Sequence, residues 1–227
     1  MANSRFVVLD TETTGLDVQE GHRVIEIGCV AVENFQVTND VFHSYLNPEC
    51  AIDSEAEKVH GLTSEFLKDK PVFSDIASDF LDFIRGSDLV IHNASFDVQF
   101  LNNELLLNGF EERIDSICSV VDSLEVARKK HSLQYNNLDA LCKRYNIDTT
   151  ERQKAHGALI DAKLLARVYV SMTAGEVGLF NEQDALVAQV PLSVTDSVYE
   201  REHVLIVRAT EEEIAVHESY MDSLAAN

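Results

Sequence analysis

Four carboxylates and one histidine carry the chemistry of this sequence. Asp10 and Glu12 lie in the stretch "VVLDTETTG" at 7–15. In an extended strand, residues two apart project from the same face. Two like charges side by side at the end of a β-branched run need a reason, and exposed loop acids just past the strand are the ordinary one. Asp97 opens a helical stretch with Leu101 and Leu105 on its face; attraction to the helix dipole alone would account for an acid there. Asp161 is harder to explain, because it shares a helix face with Leu165, Val168 and Met172. A carboxylate on an apolar stripe is costly unless it is paired or metal-bound. The nearby lysines, Lys154 and Lys163, fall off that stripe.

Brought together with no cation, four such acids would repel one another, and divalent ions would relieve that repulsion. Oxygen donors without cysteine suit Mg²⁺ or Mn²⁺ rather than structural zinc. Two ions about 4 Å apart form the clamp used for in-line attack on phosphodiesters. His156 lies five residues before Asp161 in "AHGALIDA", with Gly157 interrupting the helix between them. A neutral imidazole there can take the proton from an attacking water; an exposed, idle histidine is the alternative.

The elements that must position these groups follow from periodicity. β-branched runs at Arg5–Leu9, Val24–Val32 and Val41–Leu46 are separated by Gly, Asn and Asp, which predicts a three-strand meander. A polar loop containing "VHGLTSEF" follows. A helix is expected from Pro71 to about Arg85, striped by Phe73, Ile76, Phe80 and Ile84 and stopped by Gly86. "DLVIHN" is a short buried strand, and Asp97–Asn108 a helix closed by Gly109. Ile117–Ala127 is ambiguous, and helices are expected at Leu138–Tyr145 and Ala158–Met172. Strands first, then strands alternating with helices, imply a mixed sheet flanked by helices, an α/β fold. Residues 1–173 form that domain. Residues 174–197 lack periodicity and look like a linker. Residues 198–227 return to a strand-then-helix pattern, in which Thr210 and Glu213 form a capping box.

Composition sets the outer bounds. No apolar run is long enough to cross a bilayer, and "MANSRFVVLD" has no secretory pattern, which implies no membrane and a cytoplasmic protein. Cys29, Cys50, Cys118 and Cys142 are scattered without zinc spacing, as expected of reduced thiols that mostly fill the core. Eighteen Lys and Arg face 39 Asp and Glu, for a net charge of −21. That balance argues against tight binding of a polyanion by the free chain. It fits either a solvated acidic surface or contact with an anionic substrate through recruited cations.

Three segments, "VLDTETTGL" at 8–16, "IHNASFDVQFL" at 91–101 and "HGALIDA" at 156–162, together resemble the exonuclease motifs of the DEDDh family, in that family's order. The resemblance implies an RNase H-like fold and 3′→5′ hydrolysis of single-stranded DNA ends with release of nucleoside 5′-monophosphates. Carried over, Asp10, Glu12, Asp97 and Asp161 match the metal-binding acids and His156 the general base. "SEAEKVHGL" resembles the family loop that contacts the terminal nucleotide, which points to Glu55 and His60. Leu16 and Phe96 resemble apolar residues set against terminal bases, with core packing as the competing role.

Further likeness, in "NNLDALCKRYNID", "LLARVYVSMTAG" and "VLIVRATEEEIAVHESYMDSL", is to family members that proofread for a replicative polymerase. It implies that residues 198–227 bind the polymerase catalytic subunit, and it admits a small accessory subunit as a further partner. "EVGLF" at 176–180 resembles the sliding-clamp pentapeptide Gln-Leu-x-Leu-Phe through Leu179 and Phe180, and departs from it at Glu176 and Val177. Clamp contact is therefore expected to be weak or absent, and the segment could equally pack on its own domain. Three alternatives stand beside proofreading: an RNA-trimming exonuclease of the same family, a non-catalytic adaptor on this fold, and a small-molecule phosphatase.

Overall fold

Alternation along the first strand decides which side of the protein each acid faces. The computed structural model describes residues 5–152 and 157–177, with side chains through Thr173. Strand β1 runs Arg5–Thr13, β2 Val24–Glu33 and β3 Gln36–Tyr45. They pair antiparallel in sequence order, as the meander predicted. Strand β4 (Asp88–Ile91) lies parallel to β1, and β5 (Ser119–Asp122) parallel to β4. The sheet order is β3-β2-β1-β4-β5.

Both faces of the sheet are covered. Helices α1 (Ser54–His60) and α2 (Ser64–Leu67) occupy the stretch expected to be a polar loop. Thr63 caps α2 with its hydroxyl, and Gly61 ends α1 in the left-handed conformation, so the turn chemistry of "HGLT" makes two short helices there. Helix α3 spans Phe73–Ile84, so Pro71 sits two residues ahead of the first helical position instead of at it. Helix α4 spans Ala94–Leu107; it starts three residues before Asp97 because Asp122 accepts hydrogen bonds from the Asn93 and Ala94 N–H groups. The ambiguous region contains α5 (Ile114–Ile117), β5 and α6 (Ser123–Lys130). Helix α7 is Leu138–Arg144, and α8 is Ala158–Val177, which runs past the expected end at Met172.

Val7 and Leu9 pack into the core shared with α3 and α4, including Phe80, Ile84 and Leu101. Phe6 and Val8 face the opposite core, with Leu165, Val168 and Met172 of α8 and Leu141 of α7. Asp10 and Glu12 continue the parity of Phe6 and Val8, so they face α8. The strand extends four residues beyond Leu9, which corrects the expectation that these acids lie at or past its end. Of the four free cysteines, Cys29, Cys118 and Cys142 are buried and Cys50 is exposed.

Gly28 sets how near α8 can come. It pairs with Asp10 across β1 and β2, and a Cβ there would lie 2.2 Å from the Leu159 backbone nitrogen. The missing side chain lets the first turn of α8 rest on the sheet, which brings Asp161 over the end of β1. A Gly28→Ala variant must lift that turn, at a cost of about 1–3 kcal/mol by analogy with overpacked cores. Its melting temperature should fall and its activity fall further than the stability loss explains. An unchanged melting temperature would show that α8 does not bear on Gly28.

Candidate active site

The acids meet at the end of β1 from both faces of the sheet. Asp161, in the first turn of α8, is only 7% exposed. Asp97, in the first turn of α4, is 4% exposed and approaches from the other side, where the Thr11 hydroxyl donates to its Oδ1 at 2.7 Å. Helix α4 is fixed two turns later by Glu104, whose carboxylate takes both Nε and Nη2 of Arg23 at 2.7 Å and the Val24 N–H at 3.1 Å. The loop after β1 is tied by the Asp53 N–H to the Thr14 carbonyl and by His22 Nδ1 at 3.0 Å from the Thr14 hydroxyl.

Crowding and burial raise the proton affinity of these acids. Asp10 is pushed well above the carboxylate range by burial first, then by the charges of Asp97, Glu12 and Asp161. Glu12 is pushed up to about 8 by burial, then by Glu26, Asp161 and Asp97. Burial lifts Asp97 to about 7 against the hydrogen bond from Thr11. Arg152 opposes the shift at both Asp10 and Glu12.

Arg152 was not expected from the sequence. Its Nε and Nη2 lie 2.7 and 3.0 Å from the two oxygens of Asp161, and Nη1 binds Asp139 of α7. Asp161 is therefore paired, which corrects the reading that no cation accompanies it. With one guanidinium across Asp161 and the Thr11 hydroxyl on Asp97, no three acids or histidines among the described residues close as a ready metal-binding group.

The donor set nevertheless suits hard divalent ions: four carboxylates, three of them holding protons more tightly than usual because they are buried beside other acids. Glu12→Gln tests that crowding. In metal-free protein, ionised Glu12 costs stability as pH rises from about 4.5 toward 8 and by a constant amount beyond, so the variant should be the more stable by a few kcal/mol at pH 9 and equal at pH 4. Thermal melts at both pH values check this; equal stability at pH 9 would contradict it.

Glu26, also missed, is 1% exposed and faces Glu12 in the β1–β2 register. Its Oε1 lies 2.8 Å from His43 Nε2, while Oε2 has no partner among the described residues. The visible signal was an acid inside the apolar run "VIEIGCV". His60 accepts the Leu62 N–H at Nδ1 (2.9 Å), and its Nε2 has no partner among the described residues.

The sequence profile of the exonuclease family (RNase_T) matches residues 7–169. The chain belongs to the exonuclease family. It is 46% identical over 228 residues to the DNA polymerase III subunit epsilon of Salmonella typhimurium, covering 97% of this chain and 93% of that protein. It is 45% identical to the Escherichia coli K12 subunit over the same shares, and 43% to that of Rickettsia felis over 99% and 98%. The nuclease domain of 3′hExo, a DEDDh family member bound to rAMP, superimposes with a TM-score of 0.65 at 18% identity, covering 77% of this chain and 94% of that one. Exonuclease X in complex with 5′ overhanging duplex DNA gives 0.60 at 22% identity, over 76% and 93%. These two share its fold, the RNase H-like arrangement expected.

The remaining expected positions of this exonuclease separate. Leu16 is 84% exposed beside the acids' strand, free of the core. Phe96 is half-buried and packs against the core, its ring 4.8 Å from Phe100. Glu55 is exposed and paired with Lys58 at 2.5 Å. Glu176 and Val177 are the last two residues of α8. His156, Leu179, Phe180 and the segment 198–227 lie outside the described residues.

Proposed function

We propose that this exonuclease proofreads for a replicative DNA polymerase, removing mispaired 3′-terminal nucleotides as 5′-monophosphates with two bound Mg²⁺ or Mn²⁺ ions. The observation that carries the reading is the convergence of Asp10, Glu12, Asp97 and Asp161 from three distant stretches of chain. Those four would hold the ions, which supply charge neutralisation at the scissile phosphate and a more acidic water. His156 would accept the proton of the attacking water. The Nε2–H of His60, unpartnered among the described residues, is a donor suited to the terminal nucleotide, and the exposed Glu55 and Leu16 are assigned to the same contact. Glu26 sits behind Glu12 and keeps it crowded.

Selectivity comes from the lower cost of unpairing a mismatched end, with no base-specific contact required. The likeness to the epsilon-named relatives continues past residue 169, where the exonuclease profile ends, over 97–99% of the chain. It supports assigning 198–227 to the polymerase catalytic subunit, 176–180 to at most weak clamp contact, and the protein to the cytoplasm. Among the described residues no helix is long and apolar enough to cross a membrane.

A 3′-labelled oligonucleotide tests the reading. Labelled mononucleotide should appear with Mn²⁺, vanish with EDTA, and form faster from DNA than from RNA. Label released only in longer fragments, or release indifferent to EDTA, would overturn it.

A further inference from the structure

A second surface stands out against the acidic background. Five of the 18 Lys and Arg residues fall between positions 128 and 144 (Arg128, Lys129, Lys130, Lys143 and Arg144), against a single acid, Asp139. Of these, Arg128 lines a cavity of about 710 Å³ between α6 and the segment 131–137, with His92, Asn93, His131 and Tyr135 among its other walls. Its outer wall, residues 131–137, is held in shape from within. Asn136 donates to the His131 and Gln134 carbonyls at 3.1 Å, and Arg144 donates to Asn136 Oδ1 at 3.1 Å and the Tyr135 carbonyl at 2.8 Å. His131 Nε2 lies 2.8 Å from the Tyr145 hydroxyl. On that fixed wall the Tyr135 ring is 86% exposed and Leu133 is fully exposed.

The register places this cavity beside the acids. Val8 pairs with Val90 in parallel, and Val90 with Val121. Asp10 and His92 each lie two residues beyond the Val8–Val90 pair, so His92 leaves the end of β4 on the side of β1 where Asp10 lies. Asp122 joins the two sites: one carboxylate accepts from the Asn93, Ala94 and Leu124 N–H groups and so fixes the starts of both α4, which carries Asp97, and α6. A chain whose end lay at the acids would cross His92 and Asn93 and reach the cavity within two or three nucleotides.

We propose that this cavity is the seat of the single strand upstream of the scissile nucleotide, with Arg128 against its phosphates and Tyr135 stacked on a base. Positive charge with an exposed aromatic ring is the combination that holds single-stranded nucleic acid without regard to sequence. It also answers the difficulty posed by the net charge of −21. The strand would be held by Arg128 and the Tyr135 ring while the rest of the surface repels it, and grip would grow with strand length. The inference rests on the exonuclease reading of the neighbouring acids.

Two readouts on the full chain separate the two. Binding of a fluorescent 12-mer of thymidylate is followed by anisotropy in Ca²⁺, and cleavage is followed on the p-nitrophenyl ester of thymidine 5′-monophosphate, which has no upstream strand. Tyr135→Ala should weaken 12-mer binding by about 5- to 100-fold, the range for loss of one stacked base. Arg128→Gln should reduce the slope of log affinity against log salt by about 0.7, the value for one phosphate contact on a single strand. Both variants should hydrolyse the ester like the parent. Unchanged 12-mer affinity and salt slope would overturn the proposal, as would equal loss on the ester and the 12-mer. Parent protein that binds the 12-mer through these residues but cleaves neither substrate would leave the cavity standing and remove the exonuclease reading.

Discussion

Asp10→Asn and Asp161→Asn should each cut turnover by about 10³-fold or more, since each removes a carboxylate whose charge the bound ions need, worth several kcal/mol at the transition state. Their effects on the metal-free fold should have opposite signs. Asp10 is buried among Asp97, Glu12 and Asp161, and its proton affinity is raised by all of them. A neutral amide there relieves repulsion, so the melting temperature in EDTA should rise at pH 8. Asp161 is instead held by Arg152 through two hydrogen bonds. Its loss leaves a mostly buried guanidinium with only Asp139, which should lower stability by up to about 3 kcal/mol.

Manganese makes the contrast sharper. Parent protein should gain stability with Mn²⁺, because the ion binds the folded state only. Both variants should lose most of that gain. Arg152 competes for Asp161, so Arg152→Gln should bind Mn²⁺ more tightly than the parent in a calorimetric titration, even if its apo form is less stable. Normal Mn²⁺ affinity in Asp161→Asn would show that Asp161 is not a ligand, and weaker affinity in Arg152→Gln would show that the guanidinium supports the ion site instead of competing for it.

How much of this was visible in the sequence depended on the range of the interaction. Period-two and 3.6-residue patterns are local, so β2, α3 and the buried stripe of α8 emerged close to their observed bounds, and the parity of β1 already aligned Asp10 with Glu12. Boundaries set by distant partners did not emerge. The start of α4 depends on Asp122, 28 residues away, and the short helices α1 and α2 depend on capping more than on an apolar stripe. The pairing of Arg152 with Asp161 has no periodic signature, because Arg152 lies nine positions before Asp161 and outside the helix that carries it. Glu26 could be noticed as an anomaly in an apolar run, but its place opposite Glu12 is a matter of register. Gly28 gave no sign at all: that a helix would rest on it is a tertiary fact.

His156→Gln should lower kcat by about 10²- to 10⁴-fold, the usual worth of a positioned general base, while KM and Mn²⁺ affinity stay near those of the parent. The acid cluster cannot easily serve in its place. With ions bound as proposed, its carboxylates would be committed as ligands and would become poor bases as their charge is neutralised. An imidazole must be unprotonated to accept the proton, so kcat of the parent should fall on the acid side as the ring is protonated. Glutamine has no titrating nitrogen, and its residual activity should lose that limb and follow hydroxide concentration, rising tenfold per pH unit to higher pH. A kcat profile of the variant that kept the parent's inflection would assign the proton transfer elsewhere. His60 would be a poor substitute, since burial already lowers its proton affinity and its Nδ1 is occupied by the Leu62 N–H.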